Sequence, residues 1–139
     1  METNGYYILK YNNKYYNFFK RNECHPEGLG SCIVNELRQM SADELIEIKN
    51  LLNKIKYTTC NGPCIYTSLR DAVIYPLKYA FHISSNEPEL YIRVIHYIYT
   101  VDFDNKTFNV KWYTGCKIFK ETFDMHNIPL EWAQRIVQE

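Results

Sequence analysis

Residues 6–19 read Tyr-Tyr-Ile-Leu-Lys-Tyr-Asn-Asn-Lys-Tyr-Tyr-Asn-Phe-Phe, two aromatic-rich runs on either side of Asn12 and Asn13. Aromatic residues favour strands, and asparagine tolerates the positive φ that a tight hairpin turn requires. The stretch therefore predicts a β-hairpin with a two-residue turn. In that register the expected core side opposes Tyr11 to Lys14, Leu9 to Tyr16 and Tyr7 to Phe18.

The other side of this hairpin mixes apolar and polar side chains. It carries Tyr6, Ile8, Lys10, Tyr15, Asn17 and Phe19. Such a surface is too apolar to be wholly solvated and too polar to be wholly buried, so the sequence leaves open what covers it.

A second aromatic and β-branched stretch runs from Glu89 to Phe103, and Asp104-Asn105 supplies a turn into a strand over 107–113. Its predicted core side opposes Val101 to Phe108, Tyr99 to Val110 and Tyr97 to Trp112. The reverse side opposes Ile98 to Lys111 and His96 to Tyr113. Residues 116–123 predict one more strand.

The chain between the hairpins has helical spacing. Ile33, Leu37 and Met40 predict one helix. Ser41 followed by Glu44 fits a capping box, and it opens a second helix with the apolar stripe Leu45, Ile48, Leu52 and Ile55. Further helical segments are predicted from Ser68 to Tyr75 and, beyond Pro76, as far as Phe81. Asn127 and Pro129 predict a closing helix through Trp132, Ile136 and Val137.

The order of elements predicts a single α+β domain over residues 1–139. We expect an antiparallel sheet built from the N-terminal and C-terminal β-hairpins. A helical insert of two to four helices packs on one face, and a short helix closes the chain. A chain of 139 residues has the commonest size for one domain.

Charge and hydropathy exclude several classes of function. Sixteen basic residues balance sixteen acidic ones, so no overall field attracts a phosphate backbone or an anionic lipid surface. No run approaches the roughly 18 apolar residues of a membrane span, and the first residues lack a secretory pattern. We expect a soluble cytoplasmic protein that does not engage a membrane.

The loop Glu23-Cys-His-Pro-Glu-Gly-Leu-Gly30 follows the first hairpin. With the two aromatic strands before it, it resembles a family of no known activity found in giant DNA viruses, fungi, amoebae and phages. Members of that family carry an Asp-Ser/Gly-Tyr-Pro-x-Gly-Leu-Gly-like loop. Pro26 to Gly30 match it, whereas Glu23, Cys24 and His25 depart from it. The segments 99–110 and 128–132 are similar to the family's closing pattern. The resemblance implies a viral protein of the host cytoplasm or the virion, and it implies no activity.

Cys24 and His25 form the one candidate catalytic pair. A thiol beside an imidazole, oriented by Glu23 or Glu27, is a pattern of activated nucleophiles. Neighbouring residues in an extended segment point in opposite directions, however, so His25 is poorly placed to deprotonate Cys24. A helix-entry loop is the favoured interpretation, and a thiol-dependent hydrolase or transferase is an alternative function.

Cys60 and Cys64 are spaced as two zinc ligands can be. No second pair with ligand spacing accompanies them. A labile disulfide is an alternative, a plain loop with one buried thiol is favoured, and no metal or cofactor is predicted. Five cysteines, an odd number scattered through the elements, indicate reduced thiols.

The N-terminal hairpin also offers a candidate nucleic-acid surface, because aromatic rings beside cations stack single-stranded bases. The candidate residues are Tyr6, Lys10, Lys14, Tyr15, Phe19 and Arg21. Strand pairing explains most of these aromatic residues, and the zero net charge disfavours the alternative.

Uncovered amphipathic side chains favour a homodimer. The predicted interface residues are Ile8, Asn17, His96, Ile98 and Tyr113. The preferred function is therefore a non-catalytic interaction or structural module that acts as a homodimer, and the sequence identifies no other partner.

Overall fold

The computed structural model describes residues 3–55, 82–90 and 95–136, which build a six-stranded mixed sheet with two helices. The spatial order of the strands is β3-β2-β1-β4-β5-β6. The strands are β1 Gly5–Tyr11, β2 Lys14–Lys20, β3 His82–Ser84, β4 Tyr97–Asp102, β5 Thr107–Thr114 and β6 Lys117–Asp124. The helical elements are a π-helical turn Pro26–Gly30, α1 Ser31–Gln39, α2 Ala42–Lys54 and a 3-10 turn Trp132–Arg135. The predicted α+β class with a helical insert is confirmed.

The N-terminal hairpin has the predicted register, with Leu9 opposite Tyr16 and Tyr7 opposite Phe18. Asn12 and Asn13 both take the left-handed conformation, with φ of 55° and 61°. The carboxylate of Asp104, from the second hairpin, accepts hydrogen bonds from the Asn12 N–H at 2.7 Å and the Asn13 N–H at 3.0 Å. One hairpin thus caps the turn of the other.

The C-terminal strands also confirm their predicted pairing, including Val101 with Phe108 and Tyr97 with Trp112. Strand β6 completes the meander. Strand β4 begins only at Tyr97, and His96 lies just before it, where its N–H donates to the Asn4 carbonyl at 2.9 Å. The predicted opposition of His96 to Tyr113 is therefore not part of the ladder.

One aspect of the predicted sheet needs correction, because the two hairpins do not join antiparallel. Strands β1 and β4 run parallel, with Tyr7 beside Tyr99 and Leu9 beside Val101. The local turn fixes the pairing inside each hairpin, whereas the direction of one hairpin relative to the other depends on the path of the long connection between them. The sheet is mixed for that reason.

The helices cover one face of this sheet, called here the helix face. Ile33 of α1 and Ile48 and Leu52 of α2 are buried against it in one apolar core. The capping box is confirmed, since the Ser41 hydroxyl accepts from the Glu44 N–H at 3.2 Å. The predicted closing helix is shorter than expected and ends at Arg135. The helical segments predicted between Ser68 and Phe81, and Val137, lie outside the described residues.

Candidate functional site

The loop after β2 holds Cys24 as a structural residue. Its side chain is fully buried, and its thiol donates to the carbonyl of Lys20 at 3.4 Å. The Cys24 N–H donates to Thr3 Oγ1 at 2.9 Å, and the Cys24 carbonyl accepts from the Tyr99 hydroxyl at 2.7 Å. Because the thiol has no exposed surface, an external substrate cannot reach it. Of its neighbours, Glu23 is exposed and His25 is half-buried.

The two glycines that follow allow close approaches by other parts of the chain. A Cβ on Gly28 would meet the carbonyl of Glu23, which accepts a hydrogen bond from the Leu29 N–H at 2.8 Å. A Cβ on Gly30 would lie 2.7 Å from the Trp132 ring. The Pro-Glu-Gly-Leu-Gly sequence therefore locks the start of α1 onto the sheet and the Trp132 ring, which is a packing role.

Burial raises the pKa of Tyr99 well above its ordinary value, and it also raises the pKa of Tyr16 and Tyr97. Below the unfolded-state pKa of about 10, these tyrosines are protonated in both states and their contribution to stability is complete. At higher pH the unfolded chain releases protons that the folded chain retains. We expect the free energy of unfolding to fall as the pH rises above about 10, by at most about 1.4 kcal/mol per pH unit for each tyrosine. Guanidinium titrations between about pH 8 and about pH 11 measure this, and a flat profile contradicts it.

The face opposite the helices, called here the second face, contains four of the six predicted nucleic-acid-binding residues. Tyr6 and Phe19 pack edge to face, with ring centroids 5.7 Å apart. Lys10 lies 5.5 Å above the centre of the Tyr15 ring, and its ammonium pairs with the Asp102 carboxylate at 3.6 Å. Burial alone lowers the pKa of Lys10. The charges of Asp102 and Tyr15 together raise this pKa by a larger amount, so the net pKa lies above its ordinary value.

The remaining two nucleic-acid candidates do not extend that surface. Lys14 pairs with Tyr11 across the turn, and this pair belongs to the helix face. Arg21 is exposed beyond the end of β2. The six residues therefore do not form one continuous patch, and the Lys10 charge that is on the second face is already neutralised by Asp102.

The predicted dimer interface also needs correction at three positions. Ile8 and Ile98 are buried on the second face beneath Leu90 and Ile95 of the same chain. Asn17 is buried as well, and its side-chain amide donates to Ser84 Oγ at 2.9 Å. The chain between the hairpins returns across this face, a path that the strand pattern does not encode. His96 and Tyr113 stay partly exposed.

A polar cleft of about 340 Å³ also lies on the second face. Its lining residues are Lys10, Tyr15, Glu87, Thr100, Asp102, Asn105, Thr107, Asn109, Lys120 and Thr122. Glu87 accepts hydrogen bonds from Thr100 Oγ1 at 2.9 Å and from Lys111 Nζ. Each carboxylate in the cleft therefore has a lysine partner, which makes the cleft a satisfied polar surface.

Strand β6 forms one edge of the sheet. Ile118 and Phe119 keep 58% and 42% of their surface exposed. Ile118 lies opposite Tyr113, and the Phe119 ring stacks on Trp112 with centroids 5.8 Å apart. The sequence predicted a strand here but assigned it no function. Its signal was the adjacent large apolar pair Ile118-Phe119, set among the charged residues Lys117, Lys120 and Glu121.

The predicted metal candidates Cys60 and Cys64 lie outside the described residues. Within residues 3–55, 82–90 and 95–136, no cluster of three or more His, Cys, Asp or Glu side chains is arranged to hold a metal ion.

Among the helices of the described part of the chain, none is both long enough and apolar enough to span a membrane.

No protein-family model matches the sequence, and neither a curated protein nor a solved structure matches it.

Proposed function

We propose that this protein is a non-catalytic interaction module that acts as a homodimer. The observation that carries the proposal is the composition of β6, where Ile118 and Phe119 expose large apolar surfaces beside an open strand edge. Contiguous apolar groups at a sheet edge are a typical site for association with another chain.

The non-catalytic part of the proposal is supported by the loop that carried the catalytic candidates. Cys24 is sealed in the core, and Gly28 and Gly30 accommodate the Glu23 carbonyl and the Trp132 ring. Cys24, Gly28 and Gly30 therefore have structural roles. The paired carboxylates of the polar cleft, Glu87 and Asp102, likewise have their hydrogen bonds within the chain.

A viral origin, with action in the host cytoplasm or the virion, is the second part of the proposal. It is supported by the resemblance of the loop from Glu23 to Gly30 and of the aromatic strands before it. Detection of the protein in purified particles, compared with infected-cell cytoplasm, distinguishes the two locations.

Ile118→Ser is expected to weaken self-association, because it removes exposed apolar surface from the proposed contact. Light scattering coupled to size exclusion, run at tens of micromolar, should give the wild type a mass near twice 16.7 kDa and the variant a lower average mass. Ile46→Ser is a matched control, since Ile46 is the same residue type on α2 with 55% of its surface exposed.

Two results would contradict this proposal. A wild-type mass equal to that of one chain at the same concentration would exclude the homodimer. Equal losses for Ile118→Ser and Ile46→Ser would show that general surface hydrophobicity, and not β6, drives association.

A further inference from the structure

We infer that two copies of this chain join edge to edge through antiparallel β6 strands, with Phe119 of each copy beside the twofold axis. This inference rests on the proposed homodimer and specifies its geometry. It would extend the six-stranded sheet of each copy into one continuous sheet.

The backbone of β6 has hydrogen-bonding groups available for this pairing. Thr114 and Lys117 flank a two-residue turn, and such a pair exchanges both backbone hydrogen bonds. Along an antiparallel strand, hydrogen-bonded and non-hydrogen-bonded residues alternate, starting here from Lys117. Phe119 and Glu121 therefore bond inward to β5. Ile118, Lys120 and Thr122 direct their N–H and C=O groups outward. Among the described residues, no other strand pairs with that outer side of β6.

Symmetry restricts the register in which two β6 strands can meet. A twofold axis that relates two antiparallel edges is perpendicular to the sheet, so the helix faces of both copies lie on the same side. Side chains alternate between the faces, so a residue on the helix face must oppose another residue of that face. Every symmetric register is therefore centred on a single residue.

Charge disfavours two of the possible centres of the contact. Centring on Lys120 opposes two lysines, and centring on Glu121 opposes two glutamates, both of which are unfavourable for directly opposed residues. Centring on Ile118 moves the axis toward the Gly115-Cys116 turn and shortens the ladder.

Centring on Phe119 gives favourable pairs on the helix face of the contact. Phe119 then faces the partner's Phe119, and Lys117 faces the partner's Glu121, a pair that occurs twice by symmetry. Directly opposed unlike charges and aromatic pairs both stabilise antiparallel strands.

The same register is consistent with which β6 residues direct their backbone hydrogen-bonding groups outward. Phe119 is not an outward-bonding residue, so the Phe119 pair is a non-hydrogen-bonded pair with Cα atoms about 4.5 Å apart, which brings the rings into contact. The outward groups of Ile118 meet those of the partner's Lys120. The charges that protect this edge against unrelated strands thus complement a second copy of β6.

Charge reversal tests the register. Lys117→Glu opposes two glutamates and is expected to raise the dimer dissociation constant about tenfold. Glu121→Lys should have a similar effect, and the double variant Lys117→Glu with Glu121→Lys should return to within about twofold of the wild type. Lys120→Glu is a control, since Lys120 faces the partner's Ile118 in this register.

Sedimentation equilibrium at low salt measures the dissociation constants of the wild type and the four variants, and circular dichroism verifies that each variant is folded. Glu121 also lies 3.7 Å from Arg135, so the return of affinity in the double variant, and not the single loss, identifies the contact. A wild-type dimer whose double variant stays as weak as either single variant overturns the register and leaves the homodimer standing. A monomeric wild type overturns both.

Discussion

Trp132→Ala is expected to lower the free energy of unfolding by about 4 kcal/mol, since it removes a buried indole from the core. The Trp132 ring is packed edge to face against Phe108, with centroids 5.6 Å apart, and against Phe123 at 6.3 Å. It also fills the space beside Gly30. The deletion therefore leaves a cavity between the helix-entry loop and strands β5 and β6.

Guanidinium denaturation followed by circular dichroism measures this loss. Leu130→Ala is the control from the same segment, because Leu130 keeps 87% of its surface exposed, and its loss should stay below about 0.5 kcal/mol. Comparable losses for the two variants would contradict the packing described for Trp132.

Gly28→Ala is expected to destabilise the fold by about 3 kcal/mol, because the new methyl group collides with backbone and not with a mobile side chain. The Glu23 carbonyl that it meets is held by the Leu29 N–H. Relief of the collision would break this hydrogen bond and shift the start of α1. Thermal unfolding of the variant measures the effect.

Gly115→Asn provides the comparison for Gly28→Ala. Gly115 has a φ of +63° and no neighbouring atom near its missing Cβ, and asparagine tolerates this conformation. We expect a change below about 0.5 kcal/mol. If Gly28→Ala were equally mild, the loop would be more adaptable than its contacts indicate.

Local sequence patterns predicted the parts of the fold that depend on neighbouring residues. The Asn12-Asn13 turn fixed the first register, and Ser41 with Glu44 fixed the start of α2. These features depend on interactions across a few residues, so composition and spacing encode them directly.

Such local patterns did not predict that β1 pairs in parallel with β4. They also did not predict that residues 84–90 cross the second face. Nothing near Ile8 in sequence indicates that Leu90 and Ile95 cover it. The β6 surface was missed for a related reason. Lys117 and Glu121 read as ordinary solvated charges until the sheet order places their strand at the edge.

The parallel pairing of β1 with β4 affects how the chain folds while it is being synthesised. Strand β1 occupies an interior position in the sheet, yet its neighbour β4 leaves the ribosome far later, since Asn12 and Asp104 are 92 residues apart in the chain. Until β4 has been synthesised, the first hairpin therefore has one strand edge and much aromatic surface uncovered. Closing so long a loop is slow, so the nascent chain is exposed to aggregation and is a natural client for chaperones until its C-terminal half emerges.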